Sequence, residues 1–230
     1  MRKILVIEDD NLLNKTLSYS LETAGYKVAS AYTAASAEQL FMTDEYHLFI
    51  LDVNLPDGNG FDLCKKIRGQ SSNAAIIFLT ANDMESDMIK GFELGADDYV
   101  TKPFPISVFQ RKVASLFGRI TKQNGNEIFD DGNLRIDFSE MSATVAGEPI
   151  NLTPTEYRTL KIFAKNPKNV LTRQVLLEKL WDIDGNFVDE HTLTSTISRI
   201  RGKLETLNRQ YIKTVYGMGY MWIGGERDEF

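Results

Sequence analysis

Residues His47–Gly60 read HLFILDVNLPDGNG, a run of apolar side chains that stops abruptly at Asp52. An apolar run this short, closed by a Pro-Asp-Gly turn, predicts a strand buried on both faces with a carboxylate at its carboxyl end. Open α/β sheets place their ligands at the carboxyl ends of the strands, so Asp52 is the first candidate for chemistry.

Toward the amino terminus, Lys3–Ile7 is another apolar strand, and it too ends in acid: Glu8, Asp9 and Asp10. The spacing of Leu12, Leu13, Leu17 and Leu21 predicts a helix over Asn11–Ala24, stopped by Gly25. Tyr26–Ala31 and Ala34–Met42 repeat the strand and helix more weakly. Beyond the opening stretch come a helix over Phe61–Arg68 and a fourth apolar strand over Ala74–Leu79 that ends at Thr80. A fourth helix near Met84–Leu94, a short fifth strand over Asp98–Val100 ending at Thr101-Lys102-Pro103, and a fifth helix over Ile106–Ile120 complete the series. Five alternations predict an α/β fold, a doubly wound five-stranded parallel sheet, because parallel strands need crossovers and those crossovers are right-handed.

In such a sheet all carboxyl ends share one edge, so Glu8, Asp9, Asp10, Asp52, Thr80 and Lys102 are expected to converge. Two carboxylates about 4 Å apart at an effective dielectric of about 20 repel by about 4 kcal/mol. Asp9 and Asp52 therefore need a cation or a shared proton. Carboxylate oxygens with no nearby His or Cys favour Mg²⁺, which keeps waters and leaves room for a phosphate. Lys102 adds a positive charge and Thr80 a hydroxyl, which suits a phosphoryl group on Asp52. A single Asp after a strand otherwise serves as turn former or helix cap; Asp10, as cap of the first helix, and Asp57-Gly58, as a turn, keep that reading. A calcium loop competes poorly, since Asp52–Asp57 lacks the glycine required at its sixth position.

Composition bounds these readings. At 230 residues two domains are expected, and 43% apolar with 25% charged residues carries no signature of disorder. No run approaches the roughly 18 apolar residues of a membrane span, and Met1-Arg2-Lys3 leads straight into a strand, so a cytoplasmic protein without membrane insertion is expected. Cys64 is the sole cysteine and lies in an apolar stripe with Phe61 and Ile67, which favours core packing over redox work. The two histidines, His47 and His191, are too far apart in sequence to suggest a metal site. A net charge of −6 argues against nucleic-acid binding over the whole chain but leaves room for a local basic patch.

Glu8-Asp9 after the first strand, Asp52 after the third, Thr80-Ala81 after the fourth and Lys102-Pro103-Phe104 after the fifth resemble the receiver domain of two-component response regulators, a flavodoxin-like (CheY-like) fold. The resemblance covers residues 1–120. It implies that Asp52 takes a phosphoryl group from a histidine kinase, with Mg²⁺ held by Asp9, Asp52 and the backbone carbonyl of Asn54, and Glu8 supporting the metal through water. It further implies that Lys102, preceding a cis peptide to Pro103, pairs with carboxylate and phosphate, and that Thr80 swings to the phosphoryl oxygen while Tyr99 turns inward as the aromatic switch. Asn54 and Asn82 are expected to time the loss of the phosphoryl group.

Residues 121–127 lose apolar periodicity and contain Gly125, which marks a linker. From Ile128 the pattern changes to short strands, Ile128–Phe129, Leu134–Asp137, Ala143–Val145 and Ile150–Leu152, as in an antiparallel sheet. Thr153-Pro154-Thr155-Glu156 is a helix start with a capping box and proline in the first turn. A second helix is expected over Arg173–Trp181, then a loop over Asp182–Val188 and a third helix over Asp189–Thr206. On this third helix Leu193, Ile197, Ile200 and Leu204 share one face. The opposite face carries His191, Ser195, Ser198, Arg199 and Gly202, flanked by Thr194 and Arg201, a set able to approach DNA phosphates and base edges. Two strands around Gly217-Met218-Gly219 form a wing. Over His191–Ile223, Arg199, Arg201, Lys203, Arg209 and Lys213 face the single acid Glu205, an electrostatic footprint for DNA.

Thr153–Tyr157, Trp181, the Arg199/Arg201 helix and Thr214-Val215-Tyr216-Gly217-Met218-Gly219-Tyr220 resemble the winged helix-turn-helix effector of the OmpR/PhoB family, an α+β domain over residues 128–225. The resemblance implies major-groove contact by the third helix, minor-groove contact by a wing that includes Lys213 and Tyr216, and a loop facing RNA polymerase. The family commonly has Arg where this chain has Tyr216. Phosphorylation is implied to promote a homodimer on repeated half-sites of double-stranded DNA through the fourth helix, fifth strand and fifth helix, using Lys90, Glu93, Asp97, Asp98, Arg111, Lys112 and Arg119; Val108 replaces a frequent Glu. Two alternatives remain: an Mg²⁺-dependent aspartyl-phosphate phosphatase, which needs a second Asp where Asn54 stands, and a phosphorylation-independent DNA-binding regulator. Otherwise no enzymatic activity is expected beyond assistance to the receiver's own phosphorylation and dephosphorylation.

Overall fold

Strand β1 (Lys3–Ile7) is an interior strand of a parallel sheet, and its residues alternate between two hydrophobic cores. The computed structural model describes residues 1–70, 73–81, 90–91, 93–121, 128–180, 190–206 and 209–226. They fall into two units, Met1–Lys122 and Gln123–Phe230.

In the first unit β1 is followed by α1 (Asn11–Thr23), β2 (Lys27–Ala31), α2 (Ala34–Thr43), β3 (Leu48–Asp52), a two-residue hairpin of β4 (Asn54–Leu55) and β5 (Gly58–Asn59), then α3 (Gly60–Gly69) and β6 (Ala75–Thr80). β7 (Asp98–Thr101) and α4 (Ile106–Thr121), the helix expected as the fifth, complete it. Of the helix expected near Met84–Leu94, only Lys90, Gly91, Glu93 and Leu94 are among the described residues in its carboxyl-terminal part. The strand order β2-β1-β3-β6-β7 is the five-stranded parallel arrangement expected. Side chains alternate along each strand. Leu5, Ile7, Phe49, Leu51 and Phe78 therefore pack with Phe61 and Ile67 on one face, and Ile4, Val6, Ile50 and Ile77 pack with Leu17, Phe109 and Val113 on the other. Cys64 is buried in the first of these cores. α1 starts where Asp10 accepts hydrogen bonds from the Leu12 and Leu13 amides at 2.8 and 3.0 Å, satisfying orphan donors of the first turn.

The second unit opens with the antiparallel sheet of β8 (Ile128–Asp130), β9 (Leu134–Asp137), β10 (Ser142–Val145) and β11 (Glu148–Pro149). The strand expected over Ile150–Leu152 thus lies earlier, at Glu148–Pro149; Pro149 lacks an amide donor and is accommodated on the sheet edge. α5 (Pro154–Ala164) begins with the predicted capping box, Thr153 and Glu156 each bonding the other's backbone amide. β12 (Val170–Thr172), α6 (Arg173–Leu180), α7 (Glu190–Leu204), β13 (Gln210–Val215) and β14 (Gly219–Glu226) follow. The last three strands form a sheet in the order β12-β14-β13, whose β12 member was not foreseen. Leu193, Ile197, Ile200 and Leu204 of α7 are buried against Leu160, Phe163, Leu176 and Trp222, so the apolar face of the wheel is the one that packs. The 121–127 linker falls outside the described residues but for Thr121, as do Asn82, Trp181 and the 182–188 loop.

Candidate functional site

The parallel sheet brings Glu8 and Asp9, just past β1, beside Asp52 at the end of β3. One oxygen from each of these carboxylates lies within 4.8 Å of the others. Charges at that separation repel by about 3 kcal/mol per pair at an effective dielectric of about 20. Lys102, just past β7, answers part of this: its ammonium donates to Asp52 Oδ2 at 2.6 Å and to Glu8 Oε1 at 2.8 Å. Glu8 and Asp52 are buried, whereas Asp9 is exposed to incoming groups. Burial pushes the Glu8 carboxyl up to about 7; the hydrogen bond from Lys102 opposes this and the charge of Asp52 adds to it. Burial alone pulls the Lys102 ammonium down, but hydrogen bonds to Asp52 and Glu8 outweigh it, so its pKa is raised and the cation is favoured. Two buried carboxylates thus share one ammonium, and the cluster keeps a surplus of negative charge.

Around this cluster the backbone is tightly placed. Asn54 donates its amide to Asp52 Oδ1 at 3.0 Å, and Thr80, fully buried at the end of β6, accepts the Lys102 amide on its carbonyl at 2.7 Å. The Lys102–Pro103 peptide is cis. Tyr99 is turned inward, 5% exposed, its ring centroid 5.1 Å from that of Phe78. A Cβ at Gly91 would stand 2.3 Å from its hydroxyl.

Two receiver residues escaped the sequence reading. Gly60 follows Asn59 at the start of α3, and a Cβ there would come within 2.2 Å of the Asp52 carbonyl oxygen; only glycine lets α3 start this close to the strand end. Asp57, read as a turn former, instead reaches across to cap α2, accepting from the Ala34 and Ala35 amides at 2.7 and 2.9 Å. No local pattern signals that contact.

The residues expected at a dimer surface divide. Lys90, Glu93 and Arg111 are exposed, as is Val108. Asp98 and Lys112 pair with each other, the ammonium 3.0 Å from both carboxylate oxygens. Asp97 is a correction: it is 1% exposed and accepts hydrogen bonds from Arg68 and from the Ile76 amide, both at 3.0 Å, so it ties β6 to α3 from inside and does not face a partner. The Arg119 side chain lies outside the described residues.

On α7, His191, Thr194 and Ser198 are exposed, as the wheel predicts, whereas Ser195 is half-buried. The two arginines depart from it. Arg199 lies 3.6 Å from Glu156, a fully buried carboxylate that also takes Lys203 at 2.6 Å, and donates to Thr196. Arg201 donates to the Ile212 carbonyl at 2.8 Å and to Thr214 at 2.8 Å. A buried carboxylate needs cationic partners, and this one draws two of the helix's basic residues inward. The footprint of five cations is thereby corrected: Arg199, Arg201 and Lys203 are engaged within the domain, Arg209 lies 3.7 Å from Asp131, and Lys213 is exposed. Arg173, which the sequence reading passed over, supplies a cation elsewhere. Its guanidinium stands 5.1 Å from the Tyr220 ring centroid and donates to Thr194 at 3.1 Å, beside the exposed face of α7.

Residues 4–114 match the family of response regulator receiver domains, and residues 147–222 match the C-terminal domain of transcriptional regulatory proteins. The transcriptional regulatory protein CusR of Escherichia coli K12 is 33% identical over 220 residues, covering 95% of this chain and 96% of CusR. The regulatory protein VanR of Enterococcus faecium is 35% identical over 226 residues, covering 95% and 97%. Among solved structures, the response regulator DrrB of Thermotoga maritima, an OmpR/PhoB homolog, shares 34% identity over 97% of this chain and 100% of its own, with a TM-score of 0.52. A mutant of RitR, 28% identical over 98% of this chain and 100% of its own, superimposes with a TM-score of 0.74. Two domain matches in this order and full-length relatives that regulate transcription agree with the geometry: the chain belongs to the OmpR/PhoB family of response regulators, in which a receiver is joined to a DNA-binding domain and the whole acts as a transcription factor.

Proposed function

We propose that Asp52 is the phosphoacceptor of this response regulator and that its donor is the phosphohistidine of a sensor kinase. The observation that carries this reading is the meeting of Glu8, Asp9 and Asp52 within 4.8 Å, with Lys102 bonded to two of them. An all-oxygen donor set with surplus negative charge fits a hard divalent cation. Asp9, Asp52 and the backbone carbonyl of Asn54 would hold Mg²⁺, with Glu8 acting through water. When bound, Mg²⁺ supplies the positive charge that lets a phosphoryl group approach these carboxylates. An Asp52 oxygen forms the new P–O bond as the P–N bond breaks, and the electron pair returns to the donor imidazole. Lys102 offers its ammonium to the phosphoryl oxygens, Thr80 adds its hydroxyl, and Tyr99 holds the inward position as Thr80 moves toward the phosphoryl group.

The phosphorylated receiver favours a homodimer through the surface of Lys90, Glu93 and Arg111, and the paired effectors read repeated half-sites on double-stranded DNA. His191, Thr194, Ser195 and Ser198 face the major groove, Lys213 and Tyr216 make the wing contact, and the effector also engages RNA polymerase. The receiver assists its own phosphorylation and dephosphorylation, turns over no other substrate, and works in the cytoplasm. Among the described residues no helix is long and apolar enough to cross a membrane.

Incubating the full chain with acetyl phosphate and Mg²⁺ tests this reading by intact mass. Wild type gains one phosphoryl group and shifts toward dimer, and Asp52→Ala gains none. No gain on wild type, or an equal gain on Asp52→Ala, would overturn the assignment.

A further inference from the structure

The hairpin of β13 and β14 ends in Tyr216-Gly217-Met218, and its two large side chains project into solvent, Tyr216 93% and Met218 57% exposed. Neither is needed by the core beneath. Yet the hairpin that carries them is firmly held. Val215 pairs with Gly219, the Met218 amide closes the turn on the Val215 carbonyl at 3.0 Å, and Gly217 takes φ +72°. At its base, Gly219 lies so close to β12 that a Cβ would stand 2.1 Å from the Leu171 carbonyl oxygen. Arg201 then ties the hairpin to α7 through Ile212 and Thr214. The tip and the exposed face of α7 are thus presented as one rigid surface, and the tip carries no formal charge: the exposed cation of the hairpin is Lys213, back along β13.

We infer that this wing engages duplex DNA as an apolar wedge, with the Tyr216 ring and the Met218 thioether pressed into the minor groove, and that it selects sites by how readily they bend. The inference rests on the assignment of α7 to the adjacent major groove. Apolar side chains in the minor groove unstack base steps and bend the duplex toward the major groove, and pyrimidine–purine steps yield most easily. A neutral tip releases no counterions, so its share of the affinity is independent of salt. Continuity with the α7 face and with exposed Lys213 points to DNA rather than to an apolar protein surface. An aromatic at the tip therefore reads deformability where an arginine would read electrostatic potential.

The test uses the full-length chain and duplexes that wild type recovers from a random-sequence pool, with binding followed by anisotropy across salt and bending by end-to-end energy transfer. Tyr216→Ala and Met218→Ala weaken binding about tenfold each, leave the log–log salt slope unchanged and reduce the bend. Tyr216→Phe keeps the ring and both properties. Tyr216→Arg steepens the slope by about one and loses the bend. Circular dichroism of each variant matches wild type, since both side chains are solvent-exposed. Tyr216→Ala within twofold of wild type with the same bend overturns the inference, as does Tyr216→Phe falling as far as Tyr216→Ala, which would make the contact a hydroxyl hydrogen bond. Ser198→Glu, on α7, separates the two readings: binding that survives it discards the helix assignment and the wedge that rests on it, whereas binding that falls with Ser198→Glu but not with Tyr216→Ala discards the wedge alone.

Discussion

At the carboxyl edge of the receiver sheet, polar residues from three separate strands meet within hydrogen-bonding reach; on α7 of the effector, arginines from one helix turn away from the surface they were expected to form. The difference lies in how each position is determined. A residue that ends a buried parallel strand is delivered by the topology, because strand direction and register leave it no other place. A long side chain on a helix has a wide reach, and its final direction is set by whatever charge lies within it. Glu156, buried at the start of α5, lies within that reach for Arg199 and Lys203.

The largest test of this contrast is Glu156→Ala. It removes the partner of two cations and the reciprocal half of the Thr153 capping box, and breaking a buried pair in this way costs about 3–5 kcal/mol. Urea unfolding of the effector should show that loss, with no change in the mass that the chain gains from acetyl phosphate and Mg²⁺. A loss below about 1 kcal/mol would mean that Glu156 does not govern the direction of the α7 cations.

Arg199→Ala and Ser198→Ala sharpen the same contrast with adjacent residues. Arg199→Ala should cost about 1–3 kcal/mol of effector stability, because Glu156 loses a charged partner, while the salt dependence of DNA binding stays within about half a unit of wild type. Ser198→Ala, on the exposed face, should leave stability within about 0.5 kcal/mol and weaken operator binding. If Arg199→Ala instead lowered the salt slope by about one at unchanged stability, the guanidinium would be an outward phosphate contact and the comparison would fail.

These particulars show what was legible. Ile4–Ile7, Leu48–Leu51 and Ala75–Leu79 are continuous apolar runs, and runs of that length ending at Glu8, Asp52 and Thr80 translate directly into a parallel sheet with a polar edge. The wheel of α7 was legible for Leu193, Ile197, Ile200 and Leu204, since burial follows periodicity. Other features rest on contacts between residues distant in sequence, such as Asp97 with Arg68, Arg199 with Glu156, and Asp57 with the start of α2. Asp97 and Asp98 are neighbours with different fates, one fully buried on Arg68 and one half-buried on Lys112. Nothing in their composition distinguishes them. The two-residue β4–β5 hairpin and three-residue β12 are too short to show any period.

The smallest expected effect concerns Asp57, which belongs to the receiver but resembles the effector arginines in that its partner was invisible from sequence. Hydrogen bonds from the Ala35 and Ala34 amides hold its carboxyl below the usual aspartate range. A folded-state pKa below the unfolded value of about 3.9 means that the bonds favour the charged form. The stabilisation is therefore fully present above the unfolded value and is lost as pH falls through the folded one. Asp57→Asn keeps an acceptor oxygen and loses the charge, so the gap in receiver stability between wild type and Asp57→Asn should be widest near neutral pH and close under strong acid. Urea unfolding across that range measures it. A gap that held constant with pH would mean that charge does not bind this hairpin to α2. If the gap closes as expected, the loop that carries Asn54 past Asp52 is anchored at its far end by an acid independent of the carboxylate cluster. Acid would then loosen the loop and neutralise the cluster through different groups.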